Sequence, residues 1–315
     1  MQTPKLSPPL IALLLAIALF FAGGLLQPNF VSIDQAVNIL RLAAFLGIIA
    51  AGQTLVIISG GEGIDLSVGA IVTLSAILVY RSVNGDNALI GPALLLALGA
   101  GAAIGLVNGL GITALRIPPL VMTLSMTGIV QGAILVVTQG QLVGKAAPAM
   151  GDFISKALVG SLPGIVFIWL LLGVLLWLLL ERTAYGKQLF AVGVNRETAR
   201  LSGVRVPLTV VGTYTLSGAL SALGGFMLLG FTNNVFLSLG TPYLFPSVAA
   251  VVVGGTLLAG GKGSYWGTMA GALVLTLLTS LLTASQLPEA TRQIVLGVTL
   301  LVLLSVYGRQ RNLRQ

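Results

Sequence analysis

Eight carboxylates occur in the 315 residues: Asp34, Glu62, Asp65, Asp86, Asp152, Glu181, Glu197 and Glu289. Most stand singly between apolar runs, so a paired-acid hydrolase or an acidic metal cluster has little to be built from. Histidine and cysteine are absent, which removes the usual general base, the serine-protease triad, disulfides and thiolate metal sites. What remains is Gly60-Gly61-Glu62-Gly63-Ile64-Asp65-Leu66-Ser67, where two acids and three glycines separate two apolar runs. A break of this kind lets backbone groups and a polar side chain face a cavity or serve as a hinge. Equally, Asp65 would cap the next helix, with Glu62 near its positive end.

A second turn, Gly260-Gly261-Lys262-Gly263-Ser264, has the outline of a phosphate-binding loop but fails the test. No glycine stands five places before Gly261, Gly263 takes the Ser/Thr position, and apolar runs rather than a strand flank it. ATP binding by a P-loop is therefore not expected. The shared GGxG pattern of the two turns would fit an internal duplication.

The elements that must hold these residues lie in a membrane. Charged residues make up 8% and hydrophobic ones 56%, with a mean hydropathy of +1.04. A soluble domain carries about a quarter charged residues, and a disordered or collagen-like chain is excluded by the same composition. Ten runs approach the ~20 apolar residues needed to span a bilayer: Leu10–Leu26, Ala36–Ser59, Ile64–Tyr80, Ala88–Leu115, Pro118–Thr138, Leu162–Leu180, Pro207–Gly230, Leu244–Ala259, Tyr265–Ala284 and Thr291–Tyr307. The expected fold is therefore all-α, a polytopic helical bundle of about ten transmembrane helices, some broken, forming one transmembrane domain over 1–315. The third and eighth runs are short and interrupted by glycine. Lys5 before the first run suggests a signal peptide, but the run is long and no small-x-small cleavage site follows, so a retained span is expected.

Ten spans place both termini on one side. That face receives Lys5, Arg116, Arg182, Lys187, Arg196, Arg200, Arg205, Lys262, Arg309, Arg311 and Arg314, against Arg81, Lys145, Lys156 and Arg292 opposite; Arg41 falls near or inside the second span. Basic residues mark the cytoplasmic side, so both termini are expected there. The net charge of +8 is explained by this asymmetry, and the aromatic-interleaved basic surface of a nucleic-acid binder is missing. Two overlapping GxxxG steps, Gly101/Gly105/Gly109 and Gly263/Gly267/Gly271, predict close helix contacts.

The longest cytoplasmic segment is 181–206. Asn195 is a plausible N-cap, Arg196–Ser202 makes a short helix with Ala199 and Leu201 as its small apolar contacts, and Gly203 would end it in a left-handed turn. Such a helix suits docking into a groove on another protein; the alternative is a surface helix held by anionic lipid.

Here the sequence resembles a family. Ala191-Val-Gly-Val-Asn-Arg-Glu-Thr-Ala-Arg-Leu-Ser-Gly-Val204 is similar to the coupling loop of bacterial ABC importer permeases of the ribose/xylose/arabinose/galactoside group. So are Gly63-Ile-Asp-Leu-Ser-Val-Gly69, Gly105-Leu-Val-Asn-Gly109, Arg116-Ile-Pro118 and Val251-Val-Val-Gly-Gly-Thr256 followed by Gly260-Gly-Lys-Gly263. One departure is that Pro242–Ser247 carries no acid where family members often have one.

The resemblance implies a non-catalytic permease subunit in the bacterial inner membrane, importing a monosaccharide or related polyol. Its partners would be a separate ATPase subunit that binds the ATP and Mg, an external sugar-binding protein, and a second permease copy or paralogue. No cofactor is expected in this chain, and the bilayer is its surroundings. Gly193, Asn195, Arg196, Glu197, Ala199, Leu201, Ser202 and Gly203 would couple it to the ATPase. Asp65, Ser67, Asn108, Gln131, Asn233 and Asn234 are the polar candidates for the substrate path. The competing reading is a stand-alone ion-coupled secondary transporter, which would need intramembrane carboxylates; Asp65 and Glu62 come nearest. An intramembrane enzyme lacks the side chains it would require.

Overall fold

The computed structural model describes residues 6–308, so Lys5, Arg309, Arg311 and Arg314 lie outside the described residues. The first half is α1 (Pro8–Leu26), α2 (Ile33–Ile58), α3 (Val68–Val83), α4 (Ile90–Thr113) and α5 (Pro119–Thr138). A short helix α6 (Pro148–Ser155) and a hairpin of β1 (Ala157–Val159) and β2 (Leu162–Pro163) follow. The second half is α7 (Gly164–Arg182), α8 (Ala184–Val194), α9 (Arg196–Leu201), α10 (Val206–Thr232), α11 (Leu244–Val253), α12 (Tyr265–Ala284) and α13 (Glu289–Gly308).

The ten expected spans map onto α1–α5, α7 and α10–α13. Among the described residues seven helices are long and apolar enough to cross a membrane. Their boundaries follow local chemistry. Ser32 and Ser264 cap α2 and α12 by accepting from Gln35 N and Gly267 N, both at 3.2 Å. Asn84 and Asn233 close α3 and α10 in left-handed conformations, which Asn tolerates better than most side chains.

Two helices depart from expectation. α3 starts at Val68 rather than Ile64, because 59–67 is not helical. α11 stops at Val253 rather than running to Ala259, because Gly254-Gly255 interrupts it and Gly255 takes φ +89°. At about 1.5 Å per residue neither helix spans the ~30 Å hydrocarbon layer alone, so irregular backbone completes both crossings.

α2 is the axis of the bundle, 89% buried in its most apolar window against 17% for α1. The glycine spacing brings helices together as predicted except at Gly263, which lies in the turn before α12 and faces Thr256 and Ile58. Gly101, Gly105 and Gly109 of α4 lie on α10, where a Cβ would strike the backbone of Gly218, Tyr214 and Val211. On α12, Gly267 and Gly271 lie equally close to the carbonyls of Gly254 and Ala250. In lipid such contacts supply the dispersion that holds helices together.

The C-terminal end of α2, the turns at 59–63 and 254–264, and α8–α9 share one face of the bundle. The opposite face carries α6 and the turn before α4, joined by Ala149 N donating to Asn87 Oδ1 at 3.0 Å. Part of the stretch between α5 and α7 thus folds into α6 and the hairpin.

Candidate functional site

Unpaired backbone inside a membrane must find partners in the protein, and 63–67 finds them in side chains of α2 and α5, with α4 and α10 joining through its side chains. Gln53 of α2 donates to the Asp65 carbonyl at 2.6 Å and accepts from Asp65 N at 3.2 Å. On α5, Thr123 donates to the Ile64 carbonyl at 3.3 Å and Thr127 to the Leu66 carbonyl at 2.9 Å. The Asp65 carboxylate takes Ser67 N and Oγ at 3.0 and 2.5 Å and, from α10, Ser217 Oγ at 2.9 Å. Asn108 of α4 closes the cluster by donating to Ser67 Oγ at 2.9 Å. Gln53, Asp65, Ser67, Asn108 and Ser217 are all at 0% exposure. Asp65 closes the 65–67 turn rather than capping α3, whose N-cap Ser67 makes no side-chain cap bond, and it joins the break to α10 instead of lining a cavity.

Residues 183–202, expected to hold one short helix, form a two-helix elbow. Thr183 caps α8 by accepting from Gly186 N at 3.1 Å, and Leu189 and Val192 of α8 turn inward. That Thr cap and the i, i+3 apolar pair were the overlooked signal. Asn195 forms the corner and caps α9, its Oδ1 accepting from Thr198 N at 2.9 Å. Gly203, at φ +84° with open space around it, ends α9 in the expected left-handed turn.

The two faces of α9 differ. Ala199 is 3% exposed and packs with Val56, Ile112, Val192, Val210 and Tyr214. Leu201 is 77% and Val194 73% exposed. Ala199 therefore anchors the elbow inward and Leu201 points away, which separates two residues expected to act alike. On the outer side Arg200 grips Glu197 through Nη2 at 2.5 Å and Nε at 3.1 Å. That hydrogen bond, with the guanidinium charge behind it, holds the Glu197 carboxyl below its usual range, so the pair is fully charged at neutral pH.

The elbow is seated on glycines. A Cβ on Gly193 would run into the Ile58 carbonyl and the backbone of Gly261, and one on Gly60 into Gly193 and Ala259. Gly261 N donates to the Ile58 carbonyl at 2.9 Å. The two GGxG turns, 200 residues apart, thus meet under the corner of α8 and α9. Arg196 adds a side-chain tie, its Nη2 donating to the Gly60 carbonyl at 3.3 Å.

Residues 35–304 match the family described as branched-chain amino acid transport system/permease component. The chain belongs to this permease family. Among its relatives, the ribose import permease protein RbsC of Escherichia coli strain K12 is 35% identical over 306 residues, covering 96% of this chain and 93% of that one. The fructose import permease protein FrcC of Rhizobium meliloti is 36% identical over 275 residues, 85% and 75% of the two chains. The autoinducer 2 import system permease protein LsrC of Yersinia enterocolitica is 33% identical over 312 residues, 96% and 85%. No solved structure matches.

In this permease the polar candidates for a substrate path divide. Asp65, Ser67 and Asn108 are engaged with one another in a closed cluster and present no wall to a passing solute. Asn233 and Asn234 form the turn after α10, with Asn234 Oδ1 accepting from Val235 N at 2.8 Å. Gln131, on α5, is exposed near mid-helix. The permease also has a cavity of about 400 Å³ between α2, α10 and α12, walled by Leu46, Leu228, Phe231, Pro242, Tyr243 and Pro246. Its lining is mostly apolar, with the hydroxyls of Thr232, Thr276, Thr279 and Ser280 among it.

Proposed function

We propose that this chain is the membrane-spanning subunit of an ATP-binding-cassette importer for a monosaccharide or related polyol. The observation that carries the reading is the α8–α9 elbow: fixed to the bundle by Ala199, Gly193 and Arg196, it presents Leu201 and Val194 outward with the Glu197–Arg200 pair beside them. A chain with no nucleotide-binding motif needs an external source of work, and this is its anchored, outward-facing apolar feature on the face rich in Arg and Lys. That face is cytoplasmic in this reading, and both termini lie there. The ATPase subunit binds ATP and Mg, an external binding protein delivers the sugar, and two permease copies or paralogues enclose the path.

The elbow residues have two roles. Val194, Glu197, Leu201 and Ser202 face the ATPase; Gly193, Asn195, Arg196, Ala199 and Gly203 shape the elbow and join it to the bundle. Sugar permeases among the relatives support the substrate class, and a neutral sugar suits a chain with few intramembrane charges. The ion-coupled alternative has no support from these import-system relatives, and its best carboxylate, Asp65, is locked among hydroxyls.

The test is co-expression with an ATPase of a ribose-type import system, followed by co-purification and ATP-driven sugar uptake in proteoliposomes with binding protein. Leu201→Asp should reduce co-purified ATPase at least tenfold while the permease still inserts. Undiminished retention of the ATPase by that variant would refute the docking face.

A further inference from the structure

The elbow touches the break before α3 through one long side chain. Arg196 is half-buried, its guanidinium lies where a Cβ of Gly61 would be, and it donates to the Gly60 carbonyl. The acid next to it in sequence, Glu197, is taken by Arg200, and Arg196 turns to backbone instead. That backbone is unusual. Gly60, Gly61 and Glu62 are left-handed in succession, at φ +66°, +64° and +61°. Three such residues form a tight coil that few sequences tolerate, the third of them not even glycine. Three residues beyond the coil stands Asp65, whose carboxylate joins the break to α10 and, through Ser67, to α4.

We propose that Arg196 is a positioning residue that links α9 to the break, so that displacement of α9 pulls on the 60–62 coil and is delivered to the Asp65 cluster. This rests on the reading of the elbow as the ATPase contact. The physical case is one of compliance. The seat of Gly193 on Ile58 and Gly261 is backbone on backbone, with no slack, and fixes α8 to the bundle. Arg196 lies past the Asn195 corner, at the start of α9, and holds by one hydrogen bond at 3.3 Å. A long side chain lets α9 tilt while its bond to the Gly60 carbonyl holds, where close-packed glycine leaves no room to tilt. The coil can lengthen, because left-handed residues relax toward extended backbone under tension. The segment it would pull is held by side-chain hydrogen bonds rather than by a helical ladder, so it can be redrawn without unfolding a helix.

The experiment uses the full complex with its ATPase and binding protein in proteoliposomes. Arg196→Gln is expected to co-purify with the ATPase at wild-type stoichiometry, yet to lose at least tenfold in sugar uptake and lose stimulation of ATP hydrolysis by loaded binding protein. Arg196→Lys, which can still reach the Gly60 carbonyl, should recover a substantial part of both. Gly61→Asn keeps a residue tolerant of positive φ but fills the guanidinium's place, and should reproduce Arg196→Gln with the arginine intact. Uptake within twofold of wild type in Arg196→Gln, or equal losses in the Lys and Gln variants, would overturn the proposal. So would loss of the ATPase from Arg196→Gln, since the residue would then serve docking. If wild-type permease itself fails to retain the ATPase, the docking reading fails instead.

Discussion

At the residue scale, Asp65 shows how a buried acid is held by hydroxyls and a backbone N–H. Its carboxylate accepts from Ser67 N, Ser67 Oγ and Ser217 Oγ, while its main chain is satisfied by Gln53. Truncation would strand those donors in a dry interior, and each stranded group costs about 1–3 kcal/mol. Asp65→Ala should therefore lower the unfolding midpoint in detergent by several degrees. Asp65→Asn retains an acceptor oxygen of the same shape, and the neighbouring hydroxyls can turn to accept from its amide, so its loss should be smaller. Equal midpoints for the alanine variant and wild type would show that the cluster bears no load. Gly193 and Gly203 separate two reasons for glycine that spacing alone merged. Gly193 is needed because Ile58 and Gly261 crowd it; Gly203 has open space and is needed for its positive φ. Valine at either should abolish uptake, but only at Gly193 should it also disturb packing, a difference that protease sensitivity of the elbow would report.

At the element scale, the same distinction governs α4. Gly105 is pressed on the Tyr214 backbone of α10, whereas a Cβ on Gly99 of the same helix meets nothing within 4 Å. Gly105→Val should cost about 1–3 kcal/mol or more through overpacking and lower the yield of monodisperse protein; Gly99→Val should leave it unchanged. Matching yields for the two would mean that the α4–α10 contact is not tight. The α4 steps were legible in the sequence because GxxxG has a helical period, and the ten runs because hydrocarbon thickness fixes length. The Asn195 cap and the Gly203 stop were legible because both act within a few residues of their position. Less visible were the features that depend on distant partners. Ala199 and Leu201 look alike in a six-residue helix until α2, α4 and α10 define an inside. The break at 60–63 was legible from its glycines and acid, but 64–67 reads as the start of the third span, because only Gln53, Thr123 and Thr127 from elsewhere make non-helical backbone tolerable there. The meeting of the two glycine turns was invisible for the same reason, since Gly60 and Gly260 are joined by tertiary contact and not by sequence proximity.

At the scale of the whole molecule, burial is uneven in a way that bears on assembly. α2 is enclosed, while only 28% of the most apolar window of α5 is buried. The open side of α5 carries Ser125 and Gln131, and Gly128 and Gly132 have no neighbour within 4 Å of a Cβ position. A primary amide facing hydrocarbon near mid-membrane would leave donors and acceptors unpaired, at a cost of several kcal/mol. In the proposed pairing of two permeases, a shared polar path would resolve the mismatch by giving Gln131 water and sugar hydroxyls. The absence of native cysteine makes this testable with single thiols. Gln131→Cys in membranes holding the assembled importer should react with a hydrophilic, membrane-impermeant maleimide, and transported sugar should slow the reaction. Leu171→Cys, near the middle of α7 and 54% exposed in an apolar setting, should stay unreactive because hydrocarbon excludes the reagent. If Gln131→Cys is as inert as Leu171→Cys, the open side of α5 faces lipid, and the route for sugar must lie along another surface of the bundle.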